Sequence, residues 1–199
     1  LFQNLEISGM DGYKENLNQY DVLFLDVAWF ISISSNIQNT VSEMQDSIIE
    51  ELRSAFPNMV SETVHSLPVA LLQISAKTGR KFFIIIDEWD ALFRETESNE
   101  SLQRSYIQLL RALFKGLQVS QFVVGAYMTG ILPIKKYGTQ SALTDFREFT
   151  MLEPGFLAEY VGFTEKEVRG LCQEHALDFN EANKWYDGYR FDKIGHVYS

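Results

Sequence analysis

An α/β fold, with a mostly parallel sheet and helices on both of its faces, is what this sequence predicts. Three observations carry that expectation. Residues 21–30 ("DVLFLDVAWF"), 81–87 ("KFFIIID") and 121–130 ("QFVVGAYMTG") are near-continuous apolar runs, the pattern of strands covered from both sides. Segments with helical periodicity separate them. The resulting order of strand, helices, strand, helix, strand, loop, strand is that of crossover connections in a parallel sheet.

Taken in order, the strand at 21–30 gives way to a loop, "ISISSNIQN". A helix is predicted from Thr40, where Thr40 and Glu43 have capping-box spacing and Val41, Met44, Ile48, Leu52 and Phe56 recur at helical intervals until Pro57. A second helix starts near Pro68, a favoured first-turn residue after Ser66, carries Leu71, Leu72 and Ile74, and stops at Gly79. After the strand at 81–87 the polar stretch "RETESNES" is a surface loop. The helix beyond it is strongly amphipathic, with Leu102, Tyr106, Leu109, Leu110, Leu113 and Leu117 on one side and Gly116 near its end. Residues 145–152 ("DFREFTML") read as a weaker strand with alternating Phe146, Glu148 and Thr150. Composition shifts after Pro154, so residues 1–153 are assigned to the α/β core and residues 154–199 to a small helical appendage. There Thr164 and Glu167 make a second capping box, and Asn180 caps a short helix through Trp185.

At 199 residues, with 46% hydrophobic and 14% aromatic content, the chain has ample material for a packed core. Its net charge of −10 opposes general affinity for nucleic acid or anionic membrane, with Arg80-Lys81 and Lys135-Lys136 as local exceptions. The single cysteine, Cys172, excludes an internal disulfide framework, fits a reducing cytoplasm, and reads as a small hydrophobe on a helix face. No apolar run approaches the ~20 residues that cross a bilayer, and the N-terminus lacks the basic and apolar blocks of an export signal. A cytoplasmic location without membrane attachment is expected. His65, His175 and His196 lack metal-ligand spacing. The opening "LFQNLEISG", starting at Leu1, reads as the interior of something longer, so a fragment is expected.

The chemistry concentrates at Asp87 and Glu88, where an all-apolar strand runs directly into two carboxylates. Ligands of open α/β sheets bind beyond the carboxyl ends of the strands. An apolar strand ending in Asp-Glu is the Walker B pattern of P-loop ATPases, whose aspartate holds Mg²⁺, usually through water, and whose glutamate orients the attacking water. The alternative is an aspartate that binds backbone donors of a following helix. Asp90 reads as a cap or surface residue rather than a ligand. Thr129, ending the strand at 121–130, would stand beside the pair if the two strands are neighbours and could sense a γ-phosphate; equally, it could satisfy the turn before Gly130. A phosphate cradle, G-x-x-x-x-G-K-[ST], is not found in the chain: Gly125 and Gly130 have the glycine spacing but are followed by Ile131-Leu132.

With those residues in place the chain resembles the AAA-ATPase-like family common in gut bacteria, a P-loop ATPase domain usually followed by one related to PD-(D/E)xK nucleases. The resemblance covers nearly the whole chain and is carried by "LFQNLEI", "DVLFLDVAWF", "FIIIDEWDALFRE", "TGILPIKKYGTQSAL", "EFTMLEPGFLAEYVGFTEKEV" and "WYDGYRF". It implies a P-loop NTPase-like core that binds ATP and Mg²⁺. Asp87 and Glu88 match the Walker B pair, with Asp87 on the metal, and Thr129 matches the polar residue of the sensor strand. Lys135 and Lys136 match a basic pair after that strand, and Arg190 lies in the lid-like "WYDGYRF" motif; ordinary surface charge is the alternative for these three. Family members carry "RRFGKS"-like phosphate-binding residues upstream of the point matching Leu1. The fold is therefore expected to be incomplete at the N-terminus, lacking an interior strand, and to repair its sheet by a neighbouring chain or a shifted strand. The fragment alone is expected to be inactive.

Two other functions fit the residues. One is a non-catalytic interaction or regulatory domain that docks a partner, with Trp185, Tyr186, Tyr189 and Phe191 on its surface or packed between tail and sheet. The other, a metal-dependent nuclease using Asp87, Glu88 and Asp90, is opposed by the acidic charge and the absence of a lysine at E-x-K spacing.

Overall fold

The computed structural model describes residues 2–96, 99–133, 143, 145–186, 188–191 and 195–198. The chain divides into two compact units, Leu1–Phe146 and Arg147–Ser199.

In the first unit, a 3₁₀ turn at Glu6–Gly9 and a single helical turn, α1 (Tyr13–Asn16), precede β1 (Asp21–Asp26). The apolar run does not continue as strand to Phe30. Asp26 takes extended backbone and its side chain accepts from Trp29 N at 2.9 Å, so it caps a new helix, α2 (Val27–Ile33). That helix also claims the start of the expected loop. Helix α3 (Thr40–Ala55) then buries Val41, Met44, Ile48, Ile49 and Leu52. Its expected capping box is not formed. Thr40 lies inside the helix and its hydroxyl donates to Ile37 O, while the Glu43 carboxylate turns back to the hydroxyls of Ser34 and Ser35. Those two hydroxyls, Ser35 foremost, hold Glu43 below the usual carboxylate range.

Helix α4 (Leu67–Thr78) has Pro68 in its first turn and Gly79 at φ +71° as its left-handed stop, as the sequence predicts. Strand β2 (Phe82–Asp87) follows, then the short α5 (Ala91–Glu95) and α6 (Glu100–Phe114), which turns Leu102, Tyr106, Leu109, Leu110 and Leu113 inward. Leu117, expected on that side, lies past the helix end and is 89% exposed. The turn α7 (Val119–Phe122) leads into β3 (Val123–Met128).

The three strands form one parallel sheet in the order β1-β2-β3, with Leu23 opposite Ile84 and Ile84 opposite Ala126. They are hydrogen-bonded neighbours with no interior gap, so an expected missing interior strand is not seen between them. Side chains alternate across a strand, which divides the sheet cleanly. One face, with Leu23, Leu25, Phe82, Ile84 and Ile86, is buried with α3, α4 and α6 in a single core. On the other face Val22 (61%), Phe24 (58%) and Tyr127 (52%) are exposed. The expectation of cover on both faces is thus met on only one among the described residues.

In the second unit the expected strand at 145–152 is absent. Phe146 falls in the first unit, packing edge-on against Phe114, whereas Phe149 belongs to the second and packs against Phe156. With no strand paired to it among the described residues, the segment closes instead into a turn in which Thr150 and Glu153 exchange backbone hydrogen bonds. A 3₁₀ stretch (Gly155–Tyr160) precedes β4 (Phe163–Thr164), α8 (Glu165–Glu174), α9 (Phe179–Tyr186), β5 (Tyr189–Phe191) and β6 (Gly195–Tyr198). The strands form an antiparallel sheet in the order β4-β6-β5, so this unit is mixed α and β rather than helical. The Thr164–Glu167 capping box is present at α8. At α9 it is Asp178, not Asn180, whose side chain accepts from a first-turn amide, Glu181 N, at 3.0 Å. Cys172 is buried on α8. Among the described residues no helix is long and apolar enough to cross a membrane.

Candidate functional site

Asp87 ends the middle strand, and alternation along β2 directs its side chain to the open face of the sheet, with Phe83 and Ile85. One carboxylate oxygen, Oδ1, accepts from the Thr129 hydroxyl and, at 3.0 Å, from the Glu88 backbone N–H. No hydrogen bond engages its Oδ2 among the described residues. Asp87 does not cap a helix. Thr129 reaches it because β3 is the immediate neighbour of β2 and the backbone continues the pairing one step: Thr129 N donates to Ile86 O at 2.9 Å, and Trp89 N donates to Thr129 O at 2.9 Å. The single hydroxyl proton of Thr129 is therefore directed at Asp87.

Glu88 has φ +52°, left-handed backbone that costs a residue with a Cβ about 1–2 kcal/mol. Bonds on both sides of it hold the turn: its own N–H to Asp87, its carbonyl accepting from Ala91 N at 2.8 Å, and Trp89 N bonded across to β3. A non-glycine residue kept in this region by its surroundings is characteristic of functional turns. The Glu88 carboxylate pairs with Arg94, one turn along α5.

Asp90 is fully buried, which corrects the expectation of a cap or surface residue. It occupies the first position before α5, but its side chain makes no cap there. Instead it crosses to the loop after β3, accepting from Leu132 N at 2.9 Å and from Ile131 N at 3.2 Å. Arg94 Nε lies 3.1 Å from Asp90 Oδ2 as an ionic contact. A buried carboxylate is tolerable only with such partners. Tyr106 lies close by, its ring 5.9 Å from Phe93; burial, reinforced by the Asp90 charge, pushes its hydroxyl far above the usual tyrosine range and keeps it neutral. Gly130 completes the cluster. A Cβ there would stand 2.5 Å from both Asp90 Oδ1 and Trp89 Cδ1, so the loop can press this close only with glycine.

The structure therefore brings together Asp87, Glu88 and Thr129. Arg190 lies in β5 of the second unit, and Lys135 and Lys136 lie outside the described residues. Asp90 and Arg94 were missed as partners of the site: their i,i+4 spacing is visible in the sequence, but the burial and the backbone donors at 131 and 132 are not. The cluster does not resemble a three-carboxylate metal centre, since Asp90 is committed to backbone amides and Glu88 to Arg94. Among the described residues no group of three or more histidine, cysteine or carboxylate side chains could hold a metal ion. Arg80 and Lys81 are tied to their own chain, Arg80 to Asp21 and Lys81 to Ser120 O at 2.7 Å.

No curated protein and no solved structure matches the chain significantly. A family model described as a predicted AAA-ATPase matches residues 1–139. That match spans well over half of the sequence and contains the strand tips just described, and by it the chain belongs to the AAA-ATPase-like family.

Proposed function

We propose that this chain carries the Walker B, sensor and lid portions of a protein with a P-loop NTPase-like core that binds and hydrolyses ATP. Asp87 would hold Mg²⁺ through water, Glu88 would orient the attacking water, and Thr129 would occupy the sensor position. The observation that carries the proposal is the Asp87 carboxylate, half-buried at the tip of the middle strand, with one oxygen fixed by two donors and the other without a hydrogen bond among the described residues. That donor set fits Mg²⁺, which keeps several waters and takes one or two carboxylates besides phosphate oxygens. When bound, Mg-ATP supplies the electrophilic γ-phosphate and neutralises its developing charge.

The protein's own contribution is preorganisation. Asp87 is oriented before any ligand arrives, so little rearrangement opposes binding. Glu88, its backbone pinned on both sides and one carboxylate oxygen held by Arg94, would accept a hydrogen bond from water at its other oxygen. The phosphates would be cradled by a P-loop outside these 199 residues, on a strand added beside β3, whose outer edge has no strand partner among the described residues. The same proposal gives Lys135, Lys136 and Arg190 contacts to nucleotide, residues 154–199 a lid role, and the protein a cytoplasmic setting. Alone, the 199 residues would bind ATP weakly or not at all.

Val22, Phe24 and Tyr127 exposed on the open sheet face, and Trp185, Tyr186 and Tyr189 exposed in the second unit, favour a second reading as a non-catalytic domain that docks a partner or a second copy. Melting of the full-length protein separates the two. Mg-ATP should raise the melting temperature, and Glu88→Gln should keep that shift while lowering turnover roughly 100-fold. Undiminished turnover in Glu88→Gln would remove Glu88 from its role, and no shift with Mg-ATP would favour docking.

A further inference from the structure

We infer that Arg94 is a positioning residue that holds the Glu88 carboxylate and ties it to the loop leaving β3. The inference rests on the ATPase reading for its catalytic consequence, while the physical link stands on the geometry. Arg94 is the only side chain of α5 that touches both carboxylates in the described contacts: a terminal nitrogen pairs with Glu88 and Nε lies 3.1 Å from Asp90. Asp90 in turn takes the backbone amides of Leu132 and Ile131 at 2.9 and 3.2 Å. Three side chains and two amides thus form one line of contact, running from Glu88 through Arg94 and Asp90 to residues 131 and 132.

Burial gives this line its leverage. Asp90 has no access to water, and among the described residues its charge is balanced by two amides and one guanidinium. Moving the loop away withdraws the amides and opens Asp90 to water, which weakens its hold on Arg94 and so loosens the guanidinium beside Glu88; by the same coupling, loss of Arg94 leaves the seated Asp90 charge under-compensated and favours release of the loop. With the loop seated, the guanidinium is shared and Glu88 is kept in place. A planar guanidinium can serve two carboxylates from different nitrogens, whereas a lysine ammonium offers a single point of charge. The loop that follows the sensor strand thereby meters how firmly the water-orienting carboxylate is held.

Hydrogen exchange on the full-length protein without nucleotide tests the link. Arg94→Met should speed exchange of the Ile131 and Leu132 amides by tenfold or more while those of β2 stay within twofold. Arg94→Lys should change them in the same direction by less, and serves if the methionine variant does not fold. Unchanged exchange at 131 and 132 overturns the inference. A turnover cycle then separates positioning from general support. Arg94→Met should lower kcat about tenfold with KM for ATP within threefold, yet less than twofold further in a Glu88→Gln background; equal losses in both backgrounds would overturn action through Glu88. If the wild type neither turns over ATP nor is stabilised by Mg-ATP, the ATPase reading falls, and the nucleotide-free exchange still decides the link.

Discussion

Asp26 and Asp87 stand level with each other at the tips of adjacent parallel strands, the same residue at the same height on the same face of the sheet. Their surroundings give them different work. Asp26 turns its carboxylate onto Trp29 N and starts a helix. Asp87 is followed by a left-handed residue rather than a helix, and the hydroxyl of Thr129, one residue past β3, fixes one of its oxygens. The contrast shows that a strand-end aspartate becomes a candidate ligand through what its next residues and its neighbour strand withhold. Where a helix begins at once, the carboxylate is consumed by backbone; where the turn is left-handed, one oxygen remains for something else.

That difference can be broken at either tip. The largest effect is expected from Asp87→Ala in the full-length protein, which should reduce ATP turnover by roughly 100-fold and abolish the Mg²⁺ dependence of nucleotide binding. Since among the described residues only the Thr129 hydroxyl and one amide lose their acceptor, the stability cost should be about 1 kcal/mol. Retained Mg²⁺-dependent binding would make Asp87 no different in kind from Asp26. Gly130→Ala should come next. Its Cβ meets Asp90 and the buried Trp89 ring at 2.5 Å, so overpacking should cost about 1–3 kcal/mol and lower the melting temperature by several degrees. An unshifted melting curve would show that the turn beside Asp87 is looser than described. The smallest change belongs to Asp26→Ala, which should lose a helix cap worth about 1 kcal/mol, seen as a melting shift of about 2–4 °C. Nucleotide affinity should stay within twofold, and a larger loss would bring Asp26 into the site.

The two tips also differ in how far the sequence reveals them. "FFIIIDE" announces a buried strand and its carboxylates because nothing after Asp87 continues the apolar run. After Asp26 the residues "VAWF" are apolar too, so strand and helix look alike until the cap is seen; the only local clue is an aspartate three residues before Trp29. The reverse error arises at Glu43, whose spacing from Thr40 suggests a cap while the carboxylate is taken by serines eight and nine residues back. Thr129 is legible only on condition that β3 neighbours β2, a fact of topology. The partners of Asp90 are more remote still, since an exposed-looking acidic residue gives no sign that its shell lies in residues 131 and 132. Period and capping are local and can be read from neighbours, whereas register and burial are decided by segments forty residues away.

The strand order carries a consequence for how the molecule comes into being. Because β1, β2 and β3 sit in space as they are ordered in sequence, each strand emerging during synthesis finds its partner already made, and the sheet can grow from one side. Asp87 is laid down before the residue that fixes it. Only when β3 docks does Thr129 arrive at Asp87, Trp89 bond across to Thr129, and Asp90 collect its two amides. Within the three-stranded sheet, then, this cluster of contacts is the last to form, and a first unit caught one strand short would have much of its core and an unbuilt strand tip.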